Sequence, residues 1–565
     1  MILLDPKHHD RPYADERSRE VMRKTIEFFE SKGKRRLKED DRERVWYADF
    51  LAFVKRERIF ATLLTPAGQG APDCRWDTWR NCEFAEILGF YGLAYWYTWQ
   101  VSVLGLGPIW MSHNQELKQR TARLLEAGGI FAFGLSERAH GADVYSTDMQ
   151  LVPQADGSFL ARGEKYYIGN ANQAALVSIF GKISGTQDYV FFAIDSQHEK
   201  FECIRNVVNS QSYVANFALH DAPIREADIL SRGKDAWNAA LNTVNIGKFN
   251  LGWASIGMCT HALYEAFHHA VHRRLYGRAV SDFPHVKQLF TDAYARLLAM
   301  KLVALRAADY LRSASAEDRR YHLYNPVVKM KVTTQGEDVI NHLWDVIAAK
   351  GFERDSYFEM AARDIRALPK LEGTVHVNIA LIVKFMPNYF FNPESYPAIP
   401  RRDDPADDTF LFDQGPAKGL GHIRFHAYAP VFAASTLPNV SVFREQVAVF
   451  KDLLEKATPG ESQANDVDFL MAVGEIFTLV VYAQLLLENT AIYEIAPALV
   501  NQIFDVLVRD FSRFAVGLHG KPTSTPAQQE HCLRMIRKPV ADLAATEQVW
   551  KEYVYPLADR YEMNP

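Results

Sequence analysis

The segment Leu368–Asn378 (LPKLEGTVHVN) closes a stretch rich in arginine and apolar residues and sets one carboxylate, Glu372, before Gly373 and Thr374. A glutamate buried without compensation is costly, so this acid is either a solvated loop residue or a group held for proton transfer. A carboxylate whose pKa is raised by a dry setting is suited to take a proton as a general base. A second group is His261, Glu265, His268 and His272, spaced so that all four share one helix face. Glu265 and His268 form half of a di-iron carboxylate motif, which needs a second Glu-x-x-His pair and two further glutamates on facing helices. The chain has no second pair, so the expectation is a polar stripe on a partly exposed helix and no metal.

Other chemistry is excluded by missing signatures. The nearest approach to a dinucleotide-binding loop, Gly105–Trp110 (GLGPIW), lacks the third glycine, and no GxxxxGK[ST], GxSxG or HExxH occurs. The five cysteines are scattered without a CxxC, which rules out a cysteine zinc cluster and suits a reducing, cytoplasmic setting. A net charge of −5 gives no basic face for nucleic acid; the basic run GKRRLK at 33–38 is followed at once by EDDRER. The first residues, MILLDPKHHDRPYADERS, show no signal-peptide pattern.

The elements that must position these groups follow from periodicity. At 565 residues several domains are expected. Apolar residues at three- and four-residue spacing predict helices over 13–127. Short β-branched and aromatic runs between turn residues predict a small antiparallel β domain over 131–230. Helical patterning returns from residue 233, and proline and charge around 395–408 mark a linker before further helices. The resulting class is α+β, with domains 1–127, 128–232, 233–394 and 395–565. The uncharged stretch Gly89–Met111 is long enough to span a bilayer, but its four glycines, proline and polar residues read as a buried helix and turn. Its aromatic cluster Tyr95, Trp96, Tyr97 and Trp99 reads as core packing or the lining of an acyl or aryl pocket.

Five stretches, in order, resemble the acyl-CoA dehydrogenase family. Ser136–Asp143 (SERAHGAD) is similar to its T-E-P-G-A-G-S-D motif, and Gly163–Asn170 (GEKYYIGN) to its G-x-K-x-W-I-T-N motif. FALHDAPIREADIL (217–230) resembles the exit from the family's β domain, and HRRLYGR (272–278) its arginine-aromatic-glycine motif. RDIRALPKLEGTVHVN (363–378) resembles the segment ending in the family's E-G-T. The likeness covers about residues 20–390; the remaining helices look like the extra domain of larger dehydrogenases or of acyl-CoA oxidases.

The resemblance implies an N-terminal helical domain, a central antiparallel β-barrel-like domain, a C-terminal four-helix bundle and an additional C-terminal helical region. It implies FAD and an acyl-CoA substrate, as in fatty-acid β-oxidation. Glu372 would remove the α-proton and the β-hydrogen would leave as hydride to flavin N5, giving a trans-2-enoyl-CoA. The base's own backbone N–H and a flavin ribityl hydroxyl would polarise the thioester carbonyl. Some family branches place the base near the position of Gly247, which cannot serve, so Glu372 is favoured. Leu135, Ser136, Gly141 and Ala142 match the loop against flavin and pyrophosphate, and Tyr167, Ile168 and Gly169 the strand beside the ring system. Arg273 and Tyr276 match a contact given by a neighbouring subunit, implying a homodimer or dimer of dimers. Ala349, Thr374 and His376 match further flavin contacts. The family's tryptophan is Tyr167 here, its threonine near N5 is Gly169, one glutamine falls near Pro284, its Gly-Gly pair is Ala348-Ala349, and His376 replaces another glutamine. These departures leave the acceptor open between an electron-transfer flavoprotein, the first expectation, and oxygen, as in an acyl-CoA oxidase. A non-catalytic binding member of the fold is the third reading.

Overall fold

The β-branched and aromatic runs form one eight-stranded sheet: β1 (Ile130–Gly134), β2 (Gln150–Pro153), β3 (Phe159–Gly169), β4 (Ala174–Ile183), β5 (Tyr189–Ile194), β6 (Phe201–Asn206), β7 (Val214–Ile224) and β8 (Ile229–Arg232). The computed structural model describes residues 2–9 and 13–565. The strand order is β6-β7-β3-β2-β4-β5-β8, with β1 pairing β4 off this path. Alternating residues such as Leu151, Ala161, Val177, Ile179 and Phe217 build its core.

Two features correct the barrel-like antiparallel expectation. The sheet is mixed, because β1 and β2 both run parallel to β4. It is also open, because its end strands β6 and β8 do not pair. Closure needs two edges whose hydrogen bonds and register match. Here β8 has four residues and runs straight into the helix Gly233–Lys248. The edge strand β6 exposes Glu202, Arg205 and Asn206 and its register shifts between Cys203 and Arg205. Charge and a bulge on an edge discourage further pairing.

The chain divides into two compact units. The one with the sheet comprises Asp10–Asn250, Asp403–Gly419 and Met563–Pro565. In it the uncharged stretch forms the end of one helix, Thr78–Tyr91, and the whole of a second, Leu93–Met111, meeting at Gly92. The second helix is apolar nearly all round and buried accordingly, with Trp96 and Trp99 fully enclosed. Gly105 allows it to lie on β1, since a β-carbon there would sit 2.7 Å from the backbone nitrogen of Ala132.

The other unit comprises Met1–His9, Leu251–Arg402 and Leu420–Glu562 and is almost wholly helical. The helix Pro284–Arg312 packs on Thr333–Ile347 and also on two C-terminal helices, Val467–Ile492 and Pro497–His519. Val467–Ile492 is the one helix among the described residues long and apolar enough to cross a membrane, with a mean hydropathy of 1.9, and 83% of that window is buried within the protein. Its Glu488 carboxylate accepts from Arg306 Nε, Tyr310 Oη, Gln484 Nε2 and His426 Nε2, each at 2.8 Å. Burial opposes its ionisation, but His426 and Arg306 outweigh burial and hold the carboxyl down to about 2.

A folded-state pKa below the ordinary 4.5 stabilises the fold above pH 4.5, and that contribution is lost as pH falls through about 2. The shift corresponds to about 3 kcal/mol at neutral pH. E488Q is therefore expected to lose about that much stability in urea unfolding at pH 7, with the gap to the natural protein closing between pH 4.5 and 2.

Candidate active site

The residues singled out from the sequence fall into two sets, one in each unit. In the sheet unit the loop after β1 carries Leu135, Ser136, Gly141 and Ala142. Ser136 clips it to β3 twice: its Oγ donates to the Tyr166 carbonyl at 2.8 Å, and its own carbonyl accepts from Tyr166 N–H at 3.0 Å. Deeper in, Lys165 of β3 is fully buried and its Nζ donates to Leu135 O at 3.0 Å, Glu137 Oε1 at 2.5 Å and Thr147 Oγ1 at 3.2 Å. Glu137 also accepts from Thr147 Oγ1 and from the Asp148 and Met149 N–H groups. Burial disfavours both charges. It pushes the Lys165 ammonium down to about 8, against the pull of Glu137. It also opposes ionisation of Glu137, whose carboxyl nonetheless stays below its ordinary value because the ammonium lies against it. Gly141 and Ala142 stand exposed on the loop, and a β-carbon at Gly141 would meet nothing within 4 Å.

Tyr167 sits where the pairing of β3 with β7 shifts register, in left-handed backbone at φ +70°, so the bulge turns its half-exposed ring out of the ladder. Ile168 is buried beside it. Gly169 has a packing reason: a β-carbon there would lie 2.6 Å from Tyr97 Cε1 and 2.7 Å from Val101 Cγ2. The ring of Tyr97 thus stands against the space that a threonine would need. Asn170 then fastens the strand end, accepting from Thr98 Oγ1 and donating to the Thr98 and Phe131 carbonyls, each at 2.9 Å.

In the helical unit Glu372 and Gly373 are successive left-handed residues, at φ +51° and +89°. For a glutamate this costs about 1–3 kcal/mol, so the surroundings must impose it. Lys329 does so from a π-helical turn, Val328–Val332, inside the run of helix from Tyr321 to Ile347. It is fully buried, and its Nζ donates to Pro369 O at 2.7 Å and to Gly373 O, clasping the chain on both sides of Glu372. Asn378 Nδ2 adds bonds of 3.0 Å to the Gly373 and Thr374 carbonyls. Glu372 is partly buried with Oε2 shielded from solvent. Thr374 caps the helix Val375–Val383 by accepting from Val377 N–H, and His376 lies exposed on its first turn.

Arg273 and Ala349 come together in this unit. Both line a cavity of about 640 Å³ with Lys350 and the imidazoles of His268, His269 and His272; Glu353 is its one acid. Burial, aided by Arg273, pushes His269 below its ordinary value. Beyond Arg273 the chain forms a two-residue hairpin, Arg274–Leu275 pairing with Arg278–Ala279. Its turn residues Tyr276 and Gly277 both have positive φ, as a tight I′ turn requires, and Tyr276 is 94% exposed at the tip. Pro284 is the first residue of the helix Pro284–Arg312, a position that favours proline.

Three contributors were not among the residues singled out. Lys165 and Glu137 lie inside quoted motifs, and the strand alternation that buries Ala161 also puts Lys165 on the core face, where an ammonium needs a partner. Lys329 stands in an apolar helical run, but the π turn that aims it has no sequence mark. Ala348 adopts φ +55°, ψ −140°, a conformation suited to glycine, where the resembled family has one. A348G is expected to raise unfolding stability by about 1 kcal/mol, measured by chemical denaturation.

Known proteins share parts of this sequence and its fold. The family model for the acyl-CoA dehydrogenase C-terminal domain matches residues 235–386. A 3-(aryl)acrylate reductase of Clostridium sporogenes is 20% identical over 289 residues, 50% of this chain and 75% of the relative. The CarC subunit of the caffeyl-CoA reductase–Etf complex of Acetobacterium woodii is 23% identical over 310 residues, 53% of this chain and 79% of the relative. Among solved structures, an acyl-CoA dehydrogenase complexed with FAD from Bacillus anthracis matches in fold with TM-score 0.75 at 14% identity, covering 98% of this chain and 97% of that one. Butyryl-CoA dehydrogenase from Megasphaera elsdenii matches with TM-score 0.58 at 16% identity, covering 66% and 98%. Residues 235–386 thus match the acyl-CoA dehydrogenase C-terminal domain, and the chain as a whole is similar in fold to acyl-CoA dehydrogenases, with further helices beyond the matched region.

Proposed function

We propose that this chain is an FAD-dependent acyl-CoA dehydrogenase in which Glu372 is the base that removes the α-proton. The observation that carries this reading is the Glu372 loop. A carboxylate with one shielded oxygen is held in left-handed backbone by a buried lysine that donates to carbonyls on either side. A purely structural loop has no need of a strained acid there.

The residues present fit FAD. Arg273 and Lys350, in a cavity of about 640 Å³, suit diphosphate charge, and Arg273 offers a planar fork for phosphate oxygens. The loop at Gly141 leaves its backbone open to close approach. FAD, when bound, supplies the acceptor for a hydride from the β-carbon. Glu372 takes the α-proton onto its carboxylate, and its own backbone N–H is the donor to the thioester carbonyl. Lys329 holds that N–H and that carboxylate in one place by fixing the carbonyls of Pro369 and Gly373. Removal of a proton and a hydride leaves a trans-2-enoyl thioester.

An electron-transfer flavoprotein is the acceptor in this reading, supported by the Etf complex named for the Acetobacterium woodii relative. A homodimer or dimer of dimers is part of the same proposal. Tyr276, almost wholly exposed on its hairpin beside Arg273, is placed to reach a neighbouring subunit. A cytoplasmic location also belongs to it; no disulfide joins the five cysteines.

Anaerobic titration with a panel of acyl-CoAs tests the proposal. The yellow flavin is expected to bleach with the matching thioester. E372Q is expected to keep flavin and lose the reduction rate by roughly 10²–10⁴-fold. Protein that never holds flavin, or undiminished bleaching in E372Q, contradicts it. Peroxide formed without an added acceptor would identify oxygen as the acceptor instead.

A further inference from the structure

The face of the helix Asn250–His272 that carries His261, Glu265, His268 and His272 is met by residues 559–562 of the same unit. Tyr561 is 2% exposed and anchors this segment, its ring edge-on to His261 at a centroid distance of 5.7 Å and 5.5 Å from that of Tyr264. Asp559 and Glu562 flank the anchor. Asp559 has left-handed backbone at φ +56°. Its Oδ1 alone lies 2.7 Å from His272 Nε2 and 3.3 Å from His268 Nδ1. The two imidazole rings are 4.4 Å apart, on successive turns of the helix.

We propose that His268, His272 and Asp559 form a binding site for one divalent ion of the zinc type, which clamps residues 559–562 onto the helix. Two imidazole nitrogens and a carboxylate oxygen lie within 4.8 Å of one another. That donor set suits zinc and its borderline neighbours, whereas magnesium and calcium prefer all-oxygen shells. Three protein ligands leave a fourth position for water. Glu562 Oε1 lies 3.8 Å from His268 Nε2, the nitrogen left over when Nδ1 ligates. A carboxylate on that side fixes the ring's tautomer and orientation. All three ligand side chains are at least 38% exposed, so they can close on an ion by rotamer changes without disturbing the core. His268 and His272 also line the cavity that holds Arg273 and Lys350, whose charges oppose a cation and limit the affinity. The site adjoins the cavity proposed for diphosphate, and its test needs neither flavin nor substrate.

The full-length chain, stripped with a chelator, is titrated with zinc chloride against a chromophoric competitor, and bound zinc is counted by elemental analysis after gel filtration. One zinc per chain is expected. H272Q and D559N are expected to weaken it by more than the roughly 10–100-fold that loss of an outer-shell partner costs, while thermal unfolding of the metal-free proteins stays that of the natural chain. Zinc is also expected to slow tryptic cleavage after Arg560 in the natural chain and to leave it unchanged in H272Q. No stoichiometric zinc, or equal zinc in the natural chain and an H268Q/H272Q double variant, overturns the proposal.

Discussion

An ammonium group can leave water only if acceptors surround it, and in each unit the loop that carries candidate residues is organised by one lysine under that constraint. Lys165 and Lys329 are both fully buried. Neither takes its acceptors from a regular helix or strand ladder alone. Lys165 draws on Leu135 O, Glu137 and Thr147, and so folds down the loop after β1. Lys329 draws on Pro369 O and Gly373 O, and so sets the position of Glu372 between them. In each case the cost of burying a charge is converted into the placement of a loop, and loops are where the chemistry-bearing residues lie.

Some of the non-glycine residues with left-handed backbone lie at or beside positions matched by resemblance. Tyr167, Tyr276, Ala348 and Glu372 all have positive φ without being glycine. Each belongs to, or adjoins, a residue matched to cofactor or substrate by resemblance. Tyr167 is forced outward by a bulge, Tyr276 by a two-residue turn and Glu372 by the Lys329 clasp. Such conformations persist only where surrounding packing over-determines them. The apolar helix Leu93–Met111 gives that rigidity beneath β1 and β3, through Gly105 against Ala132 and Tyr97 against Gly169. The Glu488 network gives it in the helical unit, tying Val467–Ile492 to Pro284–Arg312.

Helices and strands were legible because their periodicities are local. The order of helical, β and helical regions follows from apolar spacing, and the motif around Glu372 is contiguous. What escaped was non-local. The sheet is mixed because β1 and β2 lie parallel to β4, and open because its ends β6 and β8 do not pair; no local pattern announces either, so an antiparallel barrel was expected in its place. The π turn that aims Lys329 follows from packing, not composition. The contact of Asp559 with the histidine face also escaped, because Asp559 lies 287 residues further along the chain than His272. Ala348 shows a different limit: its glycine-like backbone is visible only in three dimensions.

The central claim is that Lys329 sets Glu372 as a base for a carbon acid. Hydrogen–deuterium exchange at the α-carbon of a non-oxidisable acyl-CoA analogue, followed by NMR in D₂O with flavin bound, reads that step without electron transfer. Rapid exchange in the natural chain is predicted, abolished in E372Q and slowed by roughly 100-fold in K329M with analogue affinity retained. Exchange that proceeds unchanged in E372Q or in K329M would contradict the account.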